Sequence, residues 1–103
     1  MLIKFSNSYL ECIAKDEQIK GKPKYDKHVI IKFKKTLKIL QRIPDTKSLR
    51  ALNSLNFEGL KGKMQGFYSV RVDYHYRLIF SIEENLVTIS EIIIVEELSN
   101  HYQ

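Results

Sequence analysis

Apolar residues recur at helical spacing in the first half of the chain. They stand three or four positions apart, at Ile30, Phe33, Leu37 and Leu40. This period is typical of one buried helix face and predicts a helix over residues 27–43. Asp26 is its predicted cap, and Pro44 ends it because proline disfavours helical conformation at the preceding residue.

Another helix is predicted nearer the N-terminus. Ser8 and Glu11 form the pattern of a capping box, a hydroxyl followed three positions later by an acidic residue. We therefore predict a helix over residues 9–20. Gly21 is expected to close it in a left-handed conformation, and Pro23 prevents its continuation.

The hydrophobic period changes to two in the second half of the chain, which predicts β-strands. Alternation predicts strands over 68–72 and 76–82, and a more continuously apolar run predicts a strand over 86–95. A short apolar segment predicts a first strand over 2–5, whereas residues 45–66 are expected to be irregular. The order β-α-α-β-β-β predicts an α+β fold, with two helices packed on a small antiparallel sheet.

The hairpin over residues 68–82 has a definite predicted register, because its two apolar rows must share one face of the sheet. With the turn centred on Tyr74, this register pairs Val70 with Leu78 and Val72 with Tyr76. It also places Arg71 directly opposite Arg77 on the other face. Like charges opposite one another destabilise a sheet by up to ~1 kcal/mol.

The arginine pair has two interpretations. An anion between the guanidinium groups would remove the repulsion, and phosphate matches paired guanidinium forks. Alternatively, each arginine pairs with an acid from elsewhere in the chain. The available acids are Asp73, Glu91 and Glu58.

The charge distribution favours a polyanionic partner. The net charge is +5, but residues 1–80 hold all 17 Lys and Arg against seven acids, while residues 81–103 hold five Glu alone. A basic body is typical of nucleic-acid-binding proteins, although an ordinary solvated surface gives the same numbers. The same two interpretations apply to the basic face of the helix predicted over 27–43.

Length and composition exclude several classes of protein. The 103 residues, 44% of them hydrophobic, are expected to form one domain over 1–103. The longest pure apolar run, Ile92–Val95, is far shorter than the roughly 18 residues of a membrane span, and no signal peptide is recognisable. The single cysteine, Cys12, fits a reducing compartment. We therefore expect a cytoplasmic protein without a membrane partner.

The candidate chemistry is limited to a few side chains. The three histidines, His28, His75 and His101, do not have metal-ligand spacing, so a metal site is not expected. The glycine-punctuated basic loop over 59–66 lacks the spacing of a phosphate-binding P-loop. Histidine is nevertheless the side chain best suited to move protons near neutral pH.

Three segments carry a resemblance to a known family, the RelE/ParE superfamily of toxins, whose usual form is LKG…G.YSIRV…YRI.F. They are Gly59-Leu60-Lys61-Gly62, Gly66-Phe67-Tyr68-Ser69-Val70-Arg71-Val72 and Tyr76-Arg77-Leu78-Ile79-Phe80. The ending over 97–102 resembles the C-terminus of the HigB branch, which commonly closes on a histidine. The predicted element order agrees with this family along nearly the whole chain.

The resemblance implies the toxin of a type II toxin–antitoxin pair. Most relatives of this kind are ribosome-dependent endoribonucleases that cut mRNA and need no metal or other cofactor. The implied partners are a cognate antitoxin, the ribosome and mRNA, with no small-molecule cofactor.

The resemblance also implies roles for individual residues. Arg77 would steady the phosphorane, Arg71 would hold the scissile phosphate, and His101 would donate or accept a proton. Four lysines are expected to bind RNA, two in the family's basic loop and two on the basic helix face. They are Lys61, Lys63, Lys34 and Lys35.

The sequence departs from the family pattern at two places. Ser69 replaces a lysine found in some RelE members, and Ser99-Asn100 stands where many HigB members have Asp-Tyr. Tyr102 and His75 are therefore further candidates for proton transfer. Two other functions stay open: a non-catalytic, ParE-like inhibitor of DNA gyrase, and an inactive RNA-binding homologue. A histidine behind two arginines favours the nuclease, because a gyrase inhibitor needs no proton-transfer group.

Overall fold

The computed structural model describes residues 1–85 and 90–99, which form an α+β fold as predicted. The helices in these ranges are α1 (Ser8–Ala14), α2 (Lys27–Arg42) and α3 (Thr46–Arg50). The strands are β1 (Leu2–Phe5), β2 (Glu58–Gly59), β3 (Tyr68–Arg71), β4 (Arg77–Asn85) and β5 (Ser90–Ser99). None of the helices in the described ranges is long and apolar enough to cross a membrane.

The five strands form one sheet in the order β1-β5-β4-β3-β2. Strands β2 to β5 are antiparallel neighbours, which confirms the antiparallel pairing predicted for β3, β4 and β5. Residues 45–66 were expected to be irregular but contain α3 and the short edge strand β2. The edge strand β1 instead pairs in parallel with β5, Ile3 lying beside Ile93. The helices α1 to α3 connect β1 to β2 at the opposite edge of the sheet, and the antiparallel strands β2 to β5 then return to β1. This long crossover allows β1 and β5 to pair in parallel.

The hydrophobic core lies between α1, α2 and one face of the sheet. Along β3 and β4 the residues facing this core alternate with residues of the opposite face, as their period of two requires. Each large apolar side chain buried here contributes roughly 1.5–3 kcal/mol to folding. The buried cluster comprises Leu10, Ile13, Val29, Phe33, Leu37, Leu40, Leu49, Leu55, Val70, Leu78, Phe80 and Leu98.

The start of α1 differs from the prediction by one residue. The cap is Asn7, whose Oδ1 accepts from the backbone N–H of Leu10 at 3.0 Å, and not Ser8. Glu11 does not complete a capping box, because its carboxylate binds Lys15 one turn later at 3.0 Å. This hydrogen bond, together with the charge of Glu11, raises the pKa of Lys15.

The end of α1 was predicted at residue 20 and lies at Ala14. Asp16 adopts a left-handed conformation with φ of 57°. The backbone N–H of Glu17 then donates to the Cys12 carbonyl at 2.9 Å, and that of Asp16 donates to Ile13 at 3.2 Å. These two bonds close the helix as a Schellman motif, with aspartate in the position usually held by glycine.

Helix α2 has the predicted extent, although Asp26 at its start makes no side-chain capping bond. At its other end Ile43 is extended, as expected before Pro44. The N-terminal ammonium of Met1 donates there to the carbonyls of Leu40 at 2.9 Å and of Gln41 at 3.0 Å. A positive charge at a helix C-terminus interacts favourably with the helix dipole.

The last strand ends later than predicted. The prediction covered 86–95, of which 86–89 lie outside the described residues, and β5 continues to Ser99. The extension is explained by Leu98, which pairs with Leu78 and is buried in the core. The hydrophobic pattern did not predict this extension of the strand, because Leu98 is a single apolar residue between polar neighbours.

Candidate functional site

The β3–β4 hairpin has the predicted register. Val70 pairs with Leu78, and Arg71 lies directly opposite Arg77. Val70 and Leu78 are completely buried in the core. Because side chains alternate along a strand, both arginines belong to the opposite face of the sheet, which we call the arginine face.

The turn of this hairpin is held by one carboxylate. Asp73 Oδ1 accepts from the backbone N–H groups of His75 and Tyr76, both at 2.8 Å. The backbone N–H of Val72 also donates to the Tyr76 carbonyl at 3.0 Å. His75 is exposed at the tip, so the turn presents its imidazole to solvent at the end of the hairpin.

Arg77 is buried on the arginine face, with 7% of its surface exposed. Its Nε donates to Ser69 Oγ at 2.9 Å, and its Nη2 donates to the backbone carbonyl of Asn56 at 2.6 Å. The side chain therefore reaches from β4 across β3 towards the segment before β2. Two bonds from separate nitrogens of a planar guanidinium fix its orientation as well as its position.

Neither hydrogen-bond partner of Arg77 was predicted. Ser69 was noted only as a departure from the family pattern, although strand alternation places it on the same face as Arg71. Asn56 is a left-handed residue with φ of 46° that follows a 3-10 turn, and its carbonyl serves as acceptor. A backbone acceptor carries no side-chain signal, so the sequence alone could not reveal this contact.

Arg71 differs from Arg77 in its surroundings. Arg71 is exposed and forms no ion pair with the side chains that the structure describes, those of residues 1–84, 98 and 99. One Asp73 oxygen holds the turn, and Glu91 belongs to the part of β5 whose side chains are not described. The two arginines thus form an unequal pair, one fixed and buried and the other open to solvent.

The chain leaves β5 beside this pair. Ser99 is the register partner of Arg77 and is itself buried. The predicted proton-transfer residues His101 and Tyr102 lie outside the described residues. In the sequence they follow Ser99 by two and three positions.

The four predicted RNA-binding lysines fall in two separate places. Lys61 and Lys63 are exposed in the loop between β2 and β3, which the backbone N–H of Leu60 closes by donating to the Phe67 carbonyl at 2.9 Å. Lys34 and Lys35 lie on α2, which covers the face of the sheet opposite the arginine face. Lys34 is ion-paired with Asp16, and Lys35 is exposed.

The described part of the chain offers no group of three His, Cys, Asp or Glu side chains that could hold a metal ion. The arginine face is built from guanidinium groups, hydroxyls and backbone carbonyls. Guanidinium groups bind phosphate and stabilise negative charge that develops on it. The arrangement is therefore chemically suited to a phosphodiester.

The fold is that of RelE-like toxins. The family model of the HigB-like toxins, described as the RelE-like toxin of the type II toxin–antitoxin system HigB, matches residues 3–92. The chain belongs to this family. No curated protein matches its sequence.

Solved structures of related toxins share the fold at low sequence identity. A YoeB/ParE toxin from Agrobacterium tumefaciens has a TM-score of 0.62 and 16% identity, covering 99% of this chain and 100% of its own. YafQ from E. coli BL21(DE3) has a TM-score of 0.59 and 14% identity, covering 96% and 91%. The YoeB–YefM complex from Staphylococcus aureus has a TM-score of 0.55 and 23% identity, covering 99% of each chain.

Proposed function

We propose that this toxin is a metal-independent endoribonuclease that cleaves mRNA on the ribosome. The observation that carries the proposal is the fixed guanidinium of Arg77, buried on the arginine face opposite the exposed Arg71. A binding surface for phosphate needs only exposed cations. A cation already oriented before the substrate arrives is what stabilisation of a transition state requires.

The reaction joins the 2′-oxygen of one nucleotide to the adjacent phosphorus while the bond to the 5′-oxygen breaks. The products are a 2′,3′-cyclic phosphate and a free 5′-hydroxyl. The phosphorane between them carries extra negative charge, which Arg77 stabilises, and Arg71 holds the scissile phosphate. Both contacts use the strong hydrogen bonds that guanidinium groups donate to phosphate oxygens.

Two protons must move in this reaction. One leaves the attacking 2′-hydroxyl, and another is delivered to the departing 5′-oxygen. His101 is the proposed donor or acceptor, because the chain that carries it leaves β5 at the register partner of Arg77. Tyr102 and the exposed His75 are the further candidates for the second transfer.

The proposed substrate is positioned by phosphate contacts. Lys61 and Lys63 are exposed cations in the loop beside β3, whereas Lys34 and Lys35 contact RNA only from the helix side of the sheet. Such contacts release counterions, so binding to ribosomes should weaken steeply as salt is raised. A binding constant that does not change between low and high salt would contradict this role of the basic surface.

We further propose a cognate antitoxin as the protein partner. The YoeB toxin of S. aureus is found in a complex with YefM, and YafQ of E. coli in a complex with DinJ. Co-expression with the adjacent small reading frame should restore growth of cells that produce this toxin. Undiminished toxicity in that experiment would exclude the neighbouring product as its antitoxin.

The decisive test is single-turnover cleavage on programmed ribosomes. Arg77→Ala should slow cleavage about 10²- to 10³-fold at saturating protein, which is typical of losing one transition-state donor. Its effect on ribosome binding should be smaller, because the charge it stabilises develops during the reaction. His101→Ala should slow cleavage about 10²- to 10⁴-fold, as for a general acid or base.

Lys35→Ala is the matched control, since it removes one exposed charge from the opposite side of the sheet. It should weaken binding modestly and leave the chemical step unchanged. Near wild-type cleavage by both Arg77→Ala and His101→Ala, with folding intact by circular dichroism, would refute the assigned active face.

Expression in cells distinguishes the nuclease from other toxins. Induction without antitoxin should stop translation and produce new 5′ ends in mRNA. Growth arrest with intact mRNA and continuing translation, accompanied by failure of DNA supercoiling, would identify a gyrase inhibitor instead.

A further inference from the structure

A second basic site lies on the helix side of the sheet, away from the arginine face. It is an open groove of about 500 Å³ between α3 and the strands β3 and β4. We call it the α3 groove. Its lining residues are Thr46, Lys47, Arg50, Tyr68, Ile82 and Glu84.

Arg50 is held in this groove by an aromatic group. Its guanidinium lies 4.9 Å from the ring centroid of Phe57. Phe57 in turn stacks on Tyr68, with centroids 5.4 Å apart, and on Phe80, at 6.1 Å. Phe80 is completely buried, so the stack joins Arg50 to the core. An exposed arginine is thereby restricted in position although it lies at the surface.

The charges of the groove are arranged on two sides. Lys47 and Arg50 are three residues apart on α3, which places them on the same side of that helix. Neither cation forms an ion pair with the described side chains of residues 1–84, 98 and 99. Glu84 is the exposed carboxylate on the β4 side.

We propose that the α3 groove binds one unstacked nucleotide of single-stranded RNA. In this arrangement the base stacks on the free plane of the Arg50 guanidinium, Lys47 contacts a neighbouring phosphate, and Glu84 accepts a hydrogen bond from an exocyclic amino group. Bases of single-stranded RNA are recognised by such stacking on aromatic or guanidinium planes and by hydrogen bonds to their edges.

The mixed charge of the groove favours a nucleotide over an acidic peptide. A peptide carboxylate attracted to Lys47 and Arg50 would also meet the carboxylate of Glu84. A nucleotide provides an anion for the two cations and a hydrogen-bond donor for Glu84. Carboxylates accept from the amino group of cytosine in this way, which uracil lacks. Cytosine should therefore bind better than uracil.

This inference rests on the proposed function only in taking RNA as the ligand class. The groove and the arginine face lie on opposite sides of the sheet, so a nucleotide in the groove is not the one that is cleaved. The protein would then contact RNA from both sides at once, holding one stretch while cutting another.

The test uses the full-length protein and fluorescein-labelled hexamers of cytidine or uridine. Both carry 2′-O-methyl groups, which block cleavage, so binding is measured independently of catalysis. Fluorescence anisotropy should show at least about tenfold weaker binding of the cytidine hexamer by the Lys47→Gln/Arg50→Gln variant. The matched control, Lys32→Gln/Lys38→Gln, removes two exposed charges from α2 and should lose less than about threefold.

Two further variants separate the individual contacts. Arg50→Lys keeps the charge but loses the planar group, and it should recover less than half of the free energy lost by the double variant. Glu84→Gln should remove the preference for cytidine over uridine. Circular dichroism of each variant confirms that it is folded, which is expected because the changed residues lie at the surface.

Equal losses in the groove variant and the α2 control would overturn the proposal, because binding would then depend on charge alone. Competition by poly-glutamate as effective as that by RNA of equal charge would also overturn it, in favour of a protein partner. A protein that binds the hexamers through the groove but cleaves no mRNA would refute the proposed nuclease while leaving this site established.

Discussion

The two faces of the β3–β4 hairpin are stabilised by different kinds of interaction. On the face covered by helices, Val70, Leu78 and Phe80 have no exposed surface and contribute through the apolar area that they bury. On the arginine face, the buried groups include Ser69 and Arg77, which depend on particular hydrogen bonds. The first face tolerates other apolar residues of similar volume, whereas the second requires the partners that are present.

This difference bears on the role proposed for each face. Burying a guanidinium is costly, because its desolvation offsets much of what its hydrogen bonds contribute. Arg77 is nevertheless held by bonds to Ser69 and to Asn56. The apolar face serves folding, and the proposed activity requires the arginine face; this division can be tested.

The largest loss of stability should come from the helix-covered side. Phe33 is completely buried on α2, and Phe33→Ala should lower the free energy of unfolding by about 3–5 kcal/mol, through lost burial and the cavity left behind. Urea denaturation measures this. Ile31→Ala is the control on the same helix, because Ile31 is 57% exposed; its change should stay within about 0.5 kcal/mol. Equal effects of the two substitutions would contradict the assigned core.

A smaller loss is expected from the arginine face. Arg77→Met should lower the free energy of unfolding by about 1–3 kcal/mol, because the Ser69 hydroxyl and the Asn56 carbonyl lose their partner. Arg71→Met, at the exposed position opposite, should change it by less than about 0.5 kcal/mol. Urea denaturation again compares them.

The double variant Arg77→Met/Ser69→Ala measures the contribution of the hydrogen bond between these two residues. Removing both partners of a buried hydrogen bond costs less than the sum of removing each, so a coupling of about 0.5–3 kcal/mol is expected in the mutant cycle. Additive effects would show that the bond between Arg77 and Ser69 contributes nothing specific.

The cap of α1 should have a moderate effect, confined to stability. Asn7→Ala removes the side chain that accepts from Leu10 and should cost about 1 kcal/mol. Ser8→Ala, at the position predicted from the sequence, should have little effect, since the cap lies at Asn7. A larger loss of thermal stability for Ser8→Ala than for Asn7→Ala would instead support the predicted capping box. Neither variant should alter cleavage at saturating protein.

The smallest effect concerns the pH dependence of α3. The backbone N–H of Ser48 donates to Asp45 at 2.8 Å, and this bond holds the pKa of that carboxyl below its usual value of 3.8. A lowered folded pKa gives stability that is present above pH 4 and lost as the pH falls through the folded value. Asp45→Asn should therefore lose less stability than the wild type between about pH 5 and pH 2.5 in urea titrations. If the wild type and Asp45→Asn lost the same stability, groups other than Asp45 would be responsible for the acid sensitivity.

The sequence predicted features that depend on local interactions more accurately than features that depend on residues far apart in the chain. The hairpin register depends on alternation and a short turn, both local, and it was predicted in full, including Arg71 opposite Arg77. The end of α1 depends on Asp16 in a conformation that glycine usually adopts, and it was therefore missed. The contact from Arg77 to Asn56 spans 21 residues to a backbone atom, and no pattern in the sequence indicates it.

The parallel pairing of β1 with β5 determines when the sheet can be completed during synthesis of the chain. The first four paired positions of the chain, residues 2–5, find their partners at residues 92–95. Contacts of such long sequence separation form slowly, and a growing chain cannot make them before its last strand has been synthesised. The native sheet can therefore be completed only after β5 has been synthesised, although its neighbours β3 and β4 can pair earlier as a local hairpin.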